Sequence, residues 1–186
     1  MSEQPLLPGA PAETVVASPH GGTLRIPTPR LTLEGVAPDA AAGLRAGGDG
    51  GFAWLGGAPF EGTRDVSGML TQAHAAGVYR PEFGMFALVR RDDGLAIGSV
   101  AFHGPPDDEG RVEIGYDLVE AARGHGYATE AVDVLTAWTL ARDDVGCVCA
   151  TVEETNTASQ NVLHRAGFTR TRLNDDELLL YVRSRG

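Results

Sequence analysis

Arg111-Val112-Glu113-Ile114-Gly115-Tyr116-Asp117-Leu118-Val119, then Glu120-Ala121-Ala122, then Arg123-Gly124-His125-Gly126-Tyr127-Ala128-Thr129-Glu130-Ala131: this stretch decides how the chain is read. Its first nine residues have the apolar, β-branched and aromatic content of a strand. Gly124 and Gly126 let the backbone turn sharply and give a ligand access to main-chain N–H groups. A helical pattern follows at once, with Ala128, Ala131, Val132, Leu135 and Trp138 near helical spacing and an end near Arg142. The first N–H groups of a helix have no partner within it, so such a turn suits phosphate. A Gly-x-Gly turn alone occurs in many strand-to-helix connections.

Arg123 to Ala131 resembles the acetyl-CoA pyrophosphate loop of the GNAT N-acetyltransferase superfamily, and is most similar to its ribosomal-protein N-terminal (Rim-type) branch. Asn156-Thr157-Ala158-Ser159-Gln160-Asn161-Val162-Leu163 and Ala166-Gly167-Phe168 resemble that branch's second signature, in the same order and at fitting spacing. The similarity runs from about Leu24 to the C-terminus. It implies an α+β fold: a single GNAT-like domain over residues 23–186, with a mixed, mostly antiparallel sheet. About seven strands and about four helices are expected, with a parallel, splayed strand pair at the acetyl-CoA site.

The resemblance also implies a reaction: acetyl-CoA as co-substrate, no metal, and a primary amine attacking the thioester directly. The acceptor is a protein or peptide N-terminus, or a small molecule such as an aminoglycoside or polyamine. It assigns Arg123, Gly124, His125, Gly126, Tyr127 and Ala128 to the pyrophosphate, and the backbone of Asp117, Leu118 and Val119 to the pantetheine arm. Asn156 would hydrogen-bond the pantetheine, and Ser159 would lie near the sulfur. The superfamily's loop usually begins with Gln or Arg three residues before the first glycine; here that position is Ala121. The corresponding contact is either absent or supplied by Arg123.

A chain of 186 residues is long enough for one self-sufficient core. Its formal net charge of −10 argues against nucleic acid, which is held by clustered cations, and would steer a cationic amine inward. Cys147 and Cys149, two residues apart in a strand, share a face without disulfide geometry and have no His pair at zinc spacing, so they read as reduced core thiols. No stretch approaches the roughly 20 apolar residues of a membrane span. Met1 to Gly22 lacks a signal peptide's basic start and apolar core. A cytoplasmic enzyme is expected, and a homodimer is compatible with it.

Met1 to Gly22, rich in Pro, Gly, Ala and Ser, reads as a disordered or loosely docked arm. Strand character begins near Leu24 and strengthens over Arg30–Val36, with Pro27 and Pro29 marking an edge or a bend. A short helix from Pro38 to Arg45 precedes an aromatic, glycine-broken loop. In that loop Trp54 and Phe60 either pack beside the core or wall a substrate pocket. Thr63–Gly77 reads as a helix with Val66, Met69, Leu70 and Ala73 on one face and His74 toward solvent. Phe83–Arg90 and Leu95–His103 form a hairpin that leads to the strand from Arg111. Cys147–Val152 would pair parallel to that strand, since a helix connects them. A helix over Thr157–Ala166, stopped by Gly167, and a final hairpin through Asn174–Asp176 complete the chain.

Amine acylation needs a proton acceptor, because an alkylammonium of pKa ~10 is scarcely nucleophilic at neutral pH. Glu113, on the strand entering the loop, is the leading general base, with Glu153 as the alternative; a half-exposed strand glutamate paired with Arg111 is the competing reading. Ser159 is the candidate to relay a proton to the leaving thiolate, since no Tyr occurs in its segment. His125 is rejected as a base because it sits in the loop, and His103 ends a strand near the expected acceptor side. The rival function is a non-catalytic acyl-CoA-binding module with the same fold. A dinucleotide site fails for want of a third loop glycine.

Overall fold

Strand β5 (Arg111–Leu118) is where two halves of a sheet meet, in a computed structural model that describes residues 24–173 and 178–186. On one side lie β1 (Arg25–Pro27), β2 (Leu31–Gly35), β3 (Met85–Arg90) and β4 (Ala96–Phe102), each antiparallel to the next. β4 pairs antiparallel with β5, completing the expected meander. On the other side lie β6 (Cys147–Val152), β7 (Thr169–Leu173) and β8 (Leu179–Ser184). The order across the sheet is β1-β2-β3-β4-β5-β6-β8-β7. The parallel pairing of β5 with β6 is the one expected from the intervening helix.

The sheet has eight strands among the described residues, one more than expected. The extra strand comes from the proline bend. The Thr28 N–H donates to the Leu31 carbonyl at 2.9 Å, and the Leu31 N–H donates to Thr28 Oγ1 at 2.9 Å. That turn folds Arg25–Pro27 back along β2, where Arg25 meets its cross-strand partner Glu34 at 2.7 Å. The N-terminal arm and the Asn174–Asp176 turn lie outside the described residues.

Four helices cover the two faces. α1 (Pro38–Arg45) and α2 (Glu61–Ala75) lie on one, over a core that includes Leu44, Leu70, Phe52, Met85 and Trp54. α3 (Tyr127–Leu140) and α4 (Thr157–Arg165) lie on the other, over Leu33, Phe86, Val100, Ile114 and Val148. Within β3 the pleat sends Phe86 and Leu88 to the α3 face and Met85 and Ala87 to the α1 face. The α3 stripe is buried as its spacing predicts.

α2 departs from expectation: Thr63, Ser67, Gly68 and Leu70 are its buried residues, while Met69 is 43% exposed. Hydroxyls can turn inward because each has an acceptor: Ser67 donates to the Thr63 carbonyl, and Thr63 reaches Asp117 and Ser99. Trp54 packs in the core and donates its indole N–H to the Asp49 carbonyl, so it is not a pocket wall.

Gly98 sets how closely β4 and β5 approach beside the site. A Cβ there would lie 2.1 Å from the Asp117 carbonyl oxygen and 2.9 Å from the Leu118 Cα, both backbone atoms. Gly98→Ala should therefore destabilise the fold by about 1–3 kcal/mol or more. A urea midpoint equal to wild type would mean that β4 can retreat from β5 without cost.

Candidate active site

The β5–β6 pairing is short. Arg111, Val112 and Glu113 pair with Cys147, Val148 and Cys149, and the ladder stops there, although both strands continue. Beyond that point β6 stays paired with β8 and β5 with β4, so the two strands diverge. A groove of about 480 Å³ opens in the gap, lined by β5, the glycine loop and α4.

The loop at its upper end sets two left-handed glycines against the N-terminus of α3. Gly124 and Gly126 both have φ +79°, a left-handed conformation that costs side chain-bearing residues about 1–2 kcal/mol. Gly126 begins α3, and no side chain caps that helix end. A Cβ on Gly124 would meet nothing within 4 Å, so the loop's inner surface is open. Arg30 braces the loop from outside: it donates to the His125 carbonyl at 2.9 Å and pairs with Glu130 at 2.6 Å. Burial alone would raise the pKa of Glu130, but hydrogen bonds from Thr28 and Arg30 hold it lowered. Arg123 donates to the Leu118 carbonyl and stacks its guanidinium 4.8 Å from the Phe60 ring.

Asp117, Leu118, Arg123, Gly124, Gly126, Tyr127, Ala128, Asn156 and Ser159 all line this groove, as does Phe60. Two expected contacts lie elsewhere. Val119 is buried, with its N–H donating to Ile97 and its carbonyl accepting from Ala122, and the exposed His125 bonds the Arg123 carbonyl through Nδ1. Asn156 caps α4 by accepting from the Ser159 N–H at 3.0 Å, which leaves its side-chain nitrogen to donate. Ser159 has a partner that its own segment did not suggest. The Tyr116 hydroxyl lies 2.7 Å from Ser159 Oγ and donates to the Ser159 carbonyl at 3.1 Å. Burial pushes the Tyr116 hydroxyl up to about 12, so it stays protonated at neutral pH.

The opposite face of β5 carries Glu113, Gly115 and Asp117, beneath α2. There a second cleft, about 230 Å³, is lined by Gly62, Asp65, Val66, Met69, Ser99, His103, Gly115, Tyr116 and Asp117. Glu113 stands behind it. It accepts from the Thr151 hydroxyl at 2.7 Å and faces His103 Nδ1 at 3.5 Å. His103, then Thr151, hold its carboxyl below the usual range against the effect of burial. Asp117 is deeper. Its Oδ1 accepts from Thr63 Oγ1 at 2.7 Å and from the Ser99 N–H at 3.1 Å, while its buried Oδ2 makes no hydrogen bond. Asp117 and Tyr116 line both cavities. Cys149 lies opposite Glu113 in the ladder, and burial raises its thiol to about 12. Both cysteines are free thiols, Cys147 half-buried and Cys149 buried.

Among known proteins, the family model for an acetyltransferase (GNAT) domain matches residues 30–169. The uncharacterized N-acetyltransferase YjdG of Bacillus subtilis (strain 168) is 35% identical over 86 residues, 46% of this chain and 51% of that protein. The chain spans about half the length of the curated relatives it matches. An acetyltransferase from Agrobacterium tumefaciens, 28% identical, superposes with a TM-score of 0.60 over 87% of this chain and 94% of that one. A RimL ribosomal alpha-N-protein acetyltransferase in complex with coenzyme A superposes with a TM-score of 0.58 at 18% identity, over 86% and 97% of the two chains. At that identity the likeness is one of fold.

The half-buried Asp117 carries a stability prediction. Burial raises its pKa in the folded state, so its contribution is present below the unfolded value and lost as pH rises through the folded one. Asp117→Asn keeps an acceptor for Thr63 and Ser99 and never ionises. From about pH 4 to pH 8 the Tm of wild type should therefore fall relative to that of Asp117→Asn. A Tm difference that does not change with pH would mean that Asp117 is as well solvated folded as unfolded.

Proposed function

Because this chain belongs to the GNAT acetyltransferase domain family, we propose that it is an acetyl-CoA-dependent N-acetyltransferase acting on a primary amine in the cytoplasm. The observation that carries the reading is the groove left where β5 and β6 part, with an uncapped α3 N-terminus and two left-handed glycines at its end. The donor set fits the co-substrate: main-chain N–H groups and a helix dipole for the pyrophosphate, and a strand edge for an amide-bearing arm. A structural neighbour solved with coenzyme A supports the choice of ligand.

Acetyl-CoA supplies an acetyl group activated as a thioester. Gly124, Gly126, Tyr127 and Ala128 would hold its diphosphate, with Arg123 adding a cation that the Ala121 position does not provide. The β5 edge over Tyr116–Leu118 and the Asn156 side-chain nitrogen would orient the arm. Ser159, hydrogen-bonded to the protonated Tyr116 hydroxyl, would hold a proton beside the departing sulfur. A thiolate of pKa ~8.5 leaves with little help, so this pair refines the rate rather than setting it. On the other face of β5, Glu113 and the neighbouring His103 stand on the side where the acceptor would lose its proton.

The reaction is tested by thiol release from acetyl-CoA with an amine panel of spermidine, kanamycin and a short peptide with a free N-terminus. Release that depends on one of these amines is expected. Tight CoA binding without turnover on any amine would instead favour a non-catalytic acyl-CoA module. The loop is tested separately: Gly126→Val places a β-branched side chain at φ +79°, within 3.5 Å of Arg30 already at its Cβ. A folded Gly126→Val protein should lose at least about tenfold in CoA affinity by calorimetry, the equivalent of ~1.4 kcal/mol. Unchanged affinity would put the ligand elsewhere.

A further inference from the structure

We propose that His103 is the group that takes the proton from the acceptor ammonium, with Glu113 as its positioning residue, and that the cleft between α2 and β5 seats a primary alkylammonium. The inference rests on the N-acetyltransferase reading and assigns its acceptor side.

His103 follows β4 directly, and its backbone N–H donates to the Glu113 carbonyl at 2.9 Å. That bond places the His103 backbone beside β5, and the imidazole lies over its α2 face. Its two ring nitrogens then have different surroundings. Nδ1 faces Glu113 Oε2 at 3.5 Å, while Nε2 lies 3.1 Å from the point where a Cβ on Gly115 would stand. The missing Gly115 side chain is what lets Nε2 lie across the strand toward Asp117. Glu113 has the Thr151 hydroxyl on one oxygen and His103 near the other, and it does not line the cleft. His103 does line it. A carboxylate behind Nδ1 keeps the proton there and leaves the Nε2 lone pair facing the cleft. A separation of 3.5 Å is long for a hydrogen bond, and such contacts commonly tighten when substrate binds.

The cleft's chemistry fits a cation with a short aliphatic stem. Asp117 and Asp65 supply negative charge, and Val66 and Met69 supply an apolar wall. The titratable and charged groups around His103 are Glu113, Tyr116 and Asp117 on β5, Asp65 on α2, and Tyr79 and Arg80, which line a third, narrower cleft with it. Arg80 is already paired with Glu82 and Asp144, so the field at Nε2 favours an ammonium. The cleft and the groove share Tyr116 and Asp117, which puts the proposed amine seat beside the same strand that edges the proposed thioester groove.

The ammonium gives one proton to Nε2, forming an imidazolium opposite the Glu113 carboxylate. The freed nitrogen forms a C–N bond to the acetyl carbon, the C–S bond breaks, and the second proton leaving nitrogen ends on sulfur. The imidazolium then returns its proton to water.

His103→Gln should lower the rate near neutral pH by about 10²–10⁴, with CoA affinity unchanged and with recovery at higher pH as free amine accumulates. Glu113→Gln should cost less, and Glu113→Gln with His103→Gln should be no slower than His103→Gln alone. Gly115→Ala, which crowds the imidazole without removing it, should lose rate while still binding CoA. A readout independent of turnover is the ¹⁵N spectrum of His103. In wild type the neutral ring should carry its proton on Nδ1, saturating spermidine should perturb Nε2, and Glu113→Gln should abolish the tautomer preference. Wild-type rates in His103→Gln, a further loss on adding Glu113→Gln, or an Nε2–H tautomer would each overturn the proposal. If no amine in the panel is acetylated, the enzymatic reading fails on its own, and the tautomer and spermidine spectra still decide the assignment of His103.

Discussion

The parallel ladder between β5 and β6 stops after the Glu113–Cys149 pair, and the rest of the site depends on that break. A sheet that stayed paired through Leu118 would bury the edge of β5 and leave no groove. Each strand is instead held by its other neighbour: β4 pairs with β5 as far as Leu118, and β8 pairs with the whole of β6. Two side-chain contacts bound the gap, one to β6 and one to α4. The Thr151 hydroxyl bonds Glu113 near the point of separation, and Tyr116 reaches across to Ser159 on α4. The gap is therefore bounded rather than frayed, and it is wide enough for a ligand arm.

β5 divides the chemistry because a strand's side chains alternate. Tyr116 points to the α4 face and joins Ser159; Glu113, Gly115 and Asp117 point to the α2 face and meet Thr151, His103, Thr63 and Ser99. One strand thus sets a pair of hydroxyls on one side and carboxylates beside an imidazole on the other. The glycine turn above it is held in place by α3, which buries Val132, Leu135 and Trp138, each contributing roughly 1.5–3 kcal/mol as an upper estimate. Against that, about 1 kcal/mol of conformational cost at each left-handed glycine is small.

What could be read from the sequence was local. The β5–loop–α3 run, the β3–β4 hairpin and the α3 stripe follow from periodicity and turn chemistry within a few residues. The proline bend was visible, but not that it closes a hairpin, because that depends on the Thr28 hydroxyl meeting Leu31. The buried face of α2 was misjudged for a similar reason. Thr63 and Ser67 look like surface residues until Asp117, Ser99 and a neighbouring carbonyl accept from them. Tyr116 and Ser159 are separated by 43 residues, and Tyr116 was hidden in a run whose hydrophobicity already explained it. The place of His103 beside Glu113 follows from β4–β5 register, which no single-strand pattern encodes. Glu113 itself lies on the sheet face away from the groove, so its chemical role turns on what seats beneath α2.

The gap where β5 leaves β6, against the first turn of α3, is the proposed ligand site. Its most direct test is a backbone amide ¹H–¹⁵N titration of the full chain with CoA. The largest shifts are expected on Tyr116–Leu118, Gly124–Ala128 and Ser159. Shifts concentrated instead between α3 and the end of β8, around Leu140 and Arg183–Gly186, with those amides unmoved, would contradict it.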